Sequence, residues 1–304
     1  RTTAGEQRVL LGNDPVVVDL AGTLVTVNAG AAGFHRSKMD SPHDPGRLTA
    51  VERSMTVDDW WATTLAGRHE PAAFAGFAAS FVDDPDLAVW QAILHGIGTL
   101  DLVAPERHRT LASEAGSLLA GIVGRLGWEP ADGEDDRTRQ LRGVVLAAAG
   151  TLADDPGVIA EARRRWSSGG STDPAVDGAV VAVVATHGDG ADRAECRKRF
   201  EASGSAQEEQ RHLRALALFG GLTEVEALLG EVHDGTVRTQ DAPFLLRSLL
   251  AHRHHRAVAW RSVTDHWEDL TGRLPSNSIA RMLEGVRALV GTGIDPEVDR
   301  FLDD

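Results

Sequence analysis

Histidines are the residues most able to do chemistry in this chain, and only a few of its twelve are grouped. His252-Arg253-His254-His255 is the densest set, with His266 a little further along. On a helix His252 and His255 would share a face. No carboxylate or fourth ligand is placed near them by spacing, so the set reads as a solvated loop and helix start rather than a metal site. His69-Glu70 begins like the H-E-x-x-H helix of zinc hydrolases, but Pro71-Ala72-Ala73 follow and the second histidine is absent. Cys196 stands beside Arg197 and Lys198, whose charges would favour a thiolate. No nucleophile motif surrounds it, and it reads as a small residue on a helix face. Ala29–Gly33 is glycine-rich without the strand-turn-helix setting of a phosphate loop, and reads as a turn between strands. The chain therefore carries no catalytic machinery and no metal ligands of its own.

Composition narrows the partners. With 31 basic and 45 acidic residues the net charge is −14, which weighs against a nucleic-acid backbone. No apolar run approaches the roughly 20 residues of a membrane span. The longest, Ala175–Ala185, is bordered by Asp173, Asp177 and His187. A single cysteine excludes an intrachain disulfide and a site built on several thiolates. It fits a reducing compartment, and a cytoplasmic location is expected. The first residue is Arg1, not Met, which reads as a fragment or processed piece.

Two kinds of patterning position these residues. Val16–Leu20 and Leu24–Val27 are β-branched runs around an Ala21-Gly22 turn, with Val9–Leu11 and Phe34–Arg36 as neighbours. Residues 1–40 are thus expected to be the terminal strands of a larger β-domain, too small to stand alone. Their edges need covering or pairing, and a strand-mediated dimer is one way to satisfy them. From about Arg47 the period becomes helical. Leu111-Ala115-Leu118-Leu119-Ile122, Leu141-Val144-Val145-Ala148-Leu152 and Ala242-Leu245-Leu246-Leu249 are apolar stripes. Trp260-Val263-Trp267-Leu270 reads as one more.

Asp-Pro pairs at Asp84, Asp155, Asp173 and Asp295 read as N-caps before a first-turn proline. Thr49-x-x-Glu52 and Ser205-x-x-Glu208 read as capping boxes. Gly67, Gly127, Gly150, Gly188 and Gly230 read as helix ends. These marks give about a dozen or more short-looped helices, a cadence that predicts an irregular HEAT/armadillo-like α-solenoid over residues 41–304. A plain helical bundle is the alternative.

Val27–Asp40 resembles the N-x-x-x-x-G-[FY]-Y-R-V-x-Y-D segment of the aminopeptidase N and puromycin-sensitive aminopeptidase family, where a β-sandwich hands over to a helical domain. Leu126-Gly127-Trp128-Glu129, the Arg238-x-Gln240-Asp241 motif, Ala259-Trp260, Trp267 with Leu270, and the closing stretch Asp295–Phe301 follow in the family's order. His35, Ser37 and Met39 depart from the usual tyrosine, valine and tyrosine, and the chain has no tyrosine at all.

The resemblance, to a bacterial member, implies a non-catalytic C-terminal domain of a zinc aminopeptidase. Its catalytic domain is the expected partner, peptide the expected substrate, and zinc the expected cofactor of that missing domain, with none in this chain. The domain would form a cavity wall or lid that gates and holds peptide. Arg238, Gln240 and Asp241 are its candidate substrate-binding residues. Asp241 capping a helix while Arg238 pairs with a neighbour is the competing structural reading, and Arg238 meeting a peptide carboxylate the functional one. Trp260 and Trp267 are expected to be core anchors. The second functional reading is a free-standing α-solenoid adaptor that binds protein or peptide on its concave face.

Overall fold

The computed structural model describes residues 1–39 and 44–303. Asp40 and the boundary expected between residues 40 and 41 lie outside the described residues. The chain is helical: α1 (Ala50–Leu65), α2 (Phe74–Ala78), α3 (Leu87–Val103), α4 (His108–Leu126), α5 (Asp136–Thr151), α6 (Pro156–Ser167), α7 (Pro174–His187) and α8 (Gly190–Glu201) come first. Then follow α9 (Ala206–Ala215), α10 (Leu222–His233), α11 (Ala242–Leu250), α12 (Arg256–Asp265), α13 (Trp267–Arg273), α14 (Ser276–Leu283) and α15 (Asp295–Asp303). A 3₁₀ turn, Glu284–Leu289, follows α14. No single helix among the described residues is long and apolar enough to cross a membrane.

Side-chain caps set the starts of α1, α3 and α5 to α9. The Asp155 and Asp173 carboxylates accept backbone N–H groups of Val158 and of Ala175 and Val176, each ahead of a first-turn proline. Thr49 and Glu52 close a reciprocal capping box. Ser205 caps α9, but Glu208 bonds Gly204 instead of completing the box. Three expected helix ends are corrected. Asp86, not Asp84, caps α3, because the Asp84 carboxylate is taken by Arg53 and by the Asp86 N–H. Gly150 and Gly230 lie inside α5 and α10 rather than ending them.

Gly150 has a packing reason to be glycine. A Cβ there would lie 2.3 Å from Val183 Cγ2, and one at Gly143, two turns earlier, 2.6 Å from the Ala175 carbonyl oxygen. Both face α7, so the missing side chains let α5 and α7 approach closely. α7 itself is buried on nearly every side, through Val176, Ala179, Val180, Val181, Val183, Val184 and Ala185. α1 packs on α3, α3 on α5, α5 on α7 and α7 on α9, while α4, α6 and α8 pack on α5, α7 and α9.

The N-terminal expectation does not hold as drawn. Residues 1–39 form no strand; Thr2 makes isolated bridges to Gly5 and Leu24, and Val16–Leu20 is irregular. Val17 is 94% exposed, and Leu10 and Phe34 are bare as well. β-branched sequence favours a strand only where a neighbouring segment takes its backbone hydrogen bonds, and among the described residues Arg1 and Thr3 do so only briefly, for Thr23, Val25 and Thr26. The segment is instead held by side chains. Asn28 and Gly33, the first and last residues of the N-x-x-x-x-G spacing, exchange two hydrogen bonds (2.8 and 2.7 Å). Arg36 pairs with Asp58 and Asp59 of α1, and the Ser37 N–H donates to Asp59. Buried Glu52 accepts from the Thr49 and Gly30 N–H groups and from Arg1. Burial opposes ionisation, yet these donors hold its carboxyl below the usual range.

Trp260 and Trp267 are separated by a break at His266, so they do not share one helix. Both meet Phe301 of α15 edge-on, at 5.3 and 5.2 Å between ring centroids; Trp260 belongs to the core and half-buried Trp267 packs against it.

Candidate functional site

One large cavity, about 1120 Å³, opens between alternate helices. α1, α3, α7, α9, α11 and the Glu284–Leu289 turn contribute its lining; α5 and the even-numbered helices contribute none. Its walls differ in chemistry. The α1 and α3 side is largely apolar, with Trp61, Leu65, Leu102 and Val103. Elsewhere the lining carries Arg211 and Arg214 of α9, Arg247 of α11, and Arg287 of the Glu284–Leu289 turn. Leu218 and Phe244 supply exposed apolar surface between these arginines. Such mixed concave surfaces, mostly apolar with a few convergent polar groups, are what ligand sites are made of.

The Arg238-x-Gln240-Asp241 motif lies outside this lining. Arg238 Nε donates to Asp241 at 2.9 Å, and its guanidinium also pairs with Glu209. Asp241 is buried and caps no helix with its side chain; its other oxygen accepts from Gln210 at 2.9 Å. Gln210 does line the cavity, so the motif reaches it at one remove. Gln240 is exposed.

The histidine group is a structural lock. His252 is buried at the end of α11; its Nδ1 accepts the His254 and His255 backbone N–H groups, at 3.3 and 3.1 Å. The proton must then sit on Nε2, which donates to the Phe219 carbonyl at 3.2 Å. Burial, with the nearby His255, pushes His252 down to about 4. His255 bonds the Gly220 carbonyl, and His266 stacks on His233. Among the described residues no three His, Cys, Asp or Glu side chains are grouped to hold a metal ion. Cys196 is buried against the His212 carbonyl, and burial pushes its thiol up to about 12, despite Arg197, so it is a poor nucleophile.

The ERAP1-like C-terminal domain family matches residues 24–292, most of the chain and every wall of the cavity. The chain belongs to that family. Among curated proteins it is similar to aminopeptidase M1 of Arabidopsis thaliana, at 26% identity over 265 residues, covering 80% of this chain and 30% of the relative. It is similar to mitochondrial aminopeptidase 2 of Saccharomyces cerevisiae, at 25% over 237 residues, covering 75% of this chain and 25% of the relative. With tricorn protease-interacting factor F2 of Thermoplasma volcanium it shares 22% over 296 residues, 93% of this chain and 35% of the relative. The chain thus spans about a third or less of the length of these relatives.

Two features of this ERAP1-like domain had little sequence signal. Arg211 and Arg214, three apart, mark a basic face of α9 beside its apolar stripe, a spacing that is legible once sought. The second is a polar clasp between distant helices. Arg253, in the α11–α12 turn, donates to Asp101 of α3 (2.9 Å) and to the Thr151 carbonyl (3.3 Å). His108 lies between Asp101 (2.6 Å) and Asp154 (2.8 Å). Arg256 donates to the Leu102 carbonyl at 2.6 Å and to that of Ala288. Residues so far apart in sequence give no local pattern.

Proposed function

We propose that this chain is the non-catalytic, substrate-holding domain of a zinc aminopeptidase, its helices forming a curved α-solenoid whose concave face is the cavity. The observation that carries the reading is the cavity itself: about 1120 Å³, walled by alternate helices of a domain belonging to a family found in aminopeptidases. A space of that size takes an extended peptide segment rather than a single residue. In this reading the hydrolytic zinc is held by other polypeptide, no ligand set for it being grouped among the described residues. The domain then acts as wall and lid, confining the part of the peptide downstream of the bond that is cut. Arg238 and Asp241 serve by fixing Gln210, whose remaining amide oxygen is free to accept from a peptide N–H.

Peptide binding to the chain, followed by fluorescence anisotropy of labelled short peptides, tests this. Ala182 lines the cavity from α7, a helix that contributes no residue to the histidine lock or the clasp, and Ala182→Trp projects an indole into the space. Binding abolished by Ala182→Trp is the expected result. Binding that survives that substitution unchanged removes the cavity from the function.

A further inference from the structure

Charge is distributed unevenly between the cavity and the rest of the molecule. The chain carries a net −14, yet four arginines line the cavity against one carboxylate, Glu284. Two of the four are neutralised within the domain. Arg211 pairs with Asp177 of α7, and Arg247 with Glu284 at 2.9 Å. Arg214 and Arg287 differ: both are exposed on the cavity, and among the described residues neither side chain makes an ion pair or a hydrogen bond. A concave, partly apolar surface with uncompensated charge of one sign focuses its field on whatever enters. A guanidinium fork is matched to a carboxylate, which it engages through two parallel N–H···O bonds.

We propose that Arg214 of α9 and Arg287 of the Glu284–Leu289 turn are carboxylate-binding donors within the one cavity, so that it selects peptides carrying acidic groups downstream. This rests on the reading of the cavity as a peptide-holding site. The apolar α1 and α3 side, with Leu65 and Val103, takes neighbouring apolar side chains. The carboxylate belongs either to a glutamate or aspartate side chain or to the peptide's C-terminus.

The test compares labelled peptides of one apolar sequence that differ at single points: a glutamate, the same position as glutamine, the same as lysine, and each with a free or an amidated C-terminus. The chain is expected to bind the glutamate peptide roughly tenfold or more tightly than the glutamine peptide if side chains are read, or to lose that factor on amidation if the terminus is read. Arg214→Gln with Arg287→Gln should erase the difference between the peptides, which a uniform loss of binding would preserve. Arg214→Glu with Arg287→Glu should turn the preference toward lysine; both positions are exposed, and a circular-dichroism melt checks that the fold is kept. Equal binding of all peptides, blocked by Ala182→Trp, overturns the carboxylate subsite and leaves the peptide-holding cavity standing. No binding of any peptide overturns both.

Discussion

Arg253 donates to Asp101 at 2.9 Å although 152 residues separate them, joining the α11–α12 turn to the end of α3. The pair is anchored on both sides. Asp101 is only 5% exposed and also meets His108, and Arg256 one turn on donates to the Leu102 carbonyl. Asp101→Ala strips the carboxylate from Arg253 and His108 together and leaves both partly buried without it. The expected cost is about 3 kcal/mol. Urea denaturation of the two proteins measures it, and a loss below about 1 kcal/mol, the ordinary range of a surface pair, would show that the clasp does not hold these helices together.

The α5–α7 contact gives a second expectation. Gly150→Ala places a Cβ where Val183 Cγ2 already lies, so either the helices part or Val183 leaves its rotamer. Overpacking of that kind costs about 1–3 kcal/mol. Val183→Ala, which empties the same space, should make the two changes strongly non-additive. Thermal melts of both single variants and the double variant decide it: strict additivity contradicts the contact.

What could be read from sequence divides along a physical line. Helices announce themselves because their determinants are local: Asp155-Pro156 and Asp173-Pro174 each fix a start within a few residues. Features that depend on a distant partner are not visible in the same way. Gly150 looks like a helix end because glycine is the commonest helix terminator, and only Val183 across the interface explains it otherwise. Val16–Leu20 has strand composition, but a strand is a property of two segments. Arg238 and Asp241 are marked by their motif, and Arg238 turns out to hold Asp241 and Glu209, with cavity-lining Gln210 on the other Asp241 oxygen. The exposed cavity arginines carry no such mark, since a free arginine on a helix surface is common until the fold places it in a concavity.

The Asn28–Gly33 loop should behave as a local unit. Asn28 supplies both bonds to Gly33 through one side chain, and a Cβ at Gly33 would lie 2.6 Å from the His35 ring. Asn28→Ala is therefore expected to free residues 1–39 from α1 while the helices keep their stability. Limited proteolysis reports the first and the melting temperature the second. Faster cleavage within that segment, with the melt shifted by no more than a degree or two, is the expected pair of results. Unchanged cleavage would mean that Arg36 and Glu52 alone retain the segment.

His252 sets the pH response expected of the α11–α12 turn. Its neutral form is required twice, because Nδ1 must accept two backbone N–H groups while Nε2 donates to the Phe219 carbonyl. Protonation would turn that acceptor into a donor facing two donors, in a place where burial already disfavours charge. The folded state thus holds its proton only near pH 4, whereas the unfolded chain takes it up near the ordinary 6.5. The sign follows: with the folded value depressed, the unfolded state binds more protons between these limits, so stability falls as pH drops through that window. Above pH 6.5 the contribution is complete, and at the lower limit about 3 kcal/mol of it is gone. His252→Gln, whose amide keeps an acceptor and a donor but does not titrate, should flatten this part of the curve. Chemical denaturation of both proteins across pH 4–7 separates the outcomes, and an equal slope in the two would assign the pH dependence to other groups.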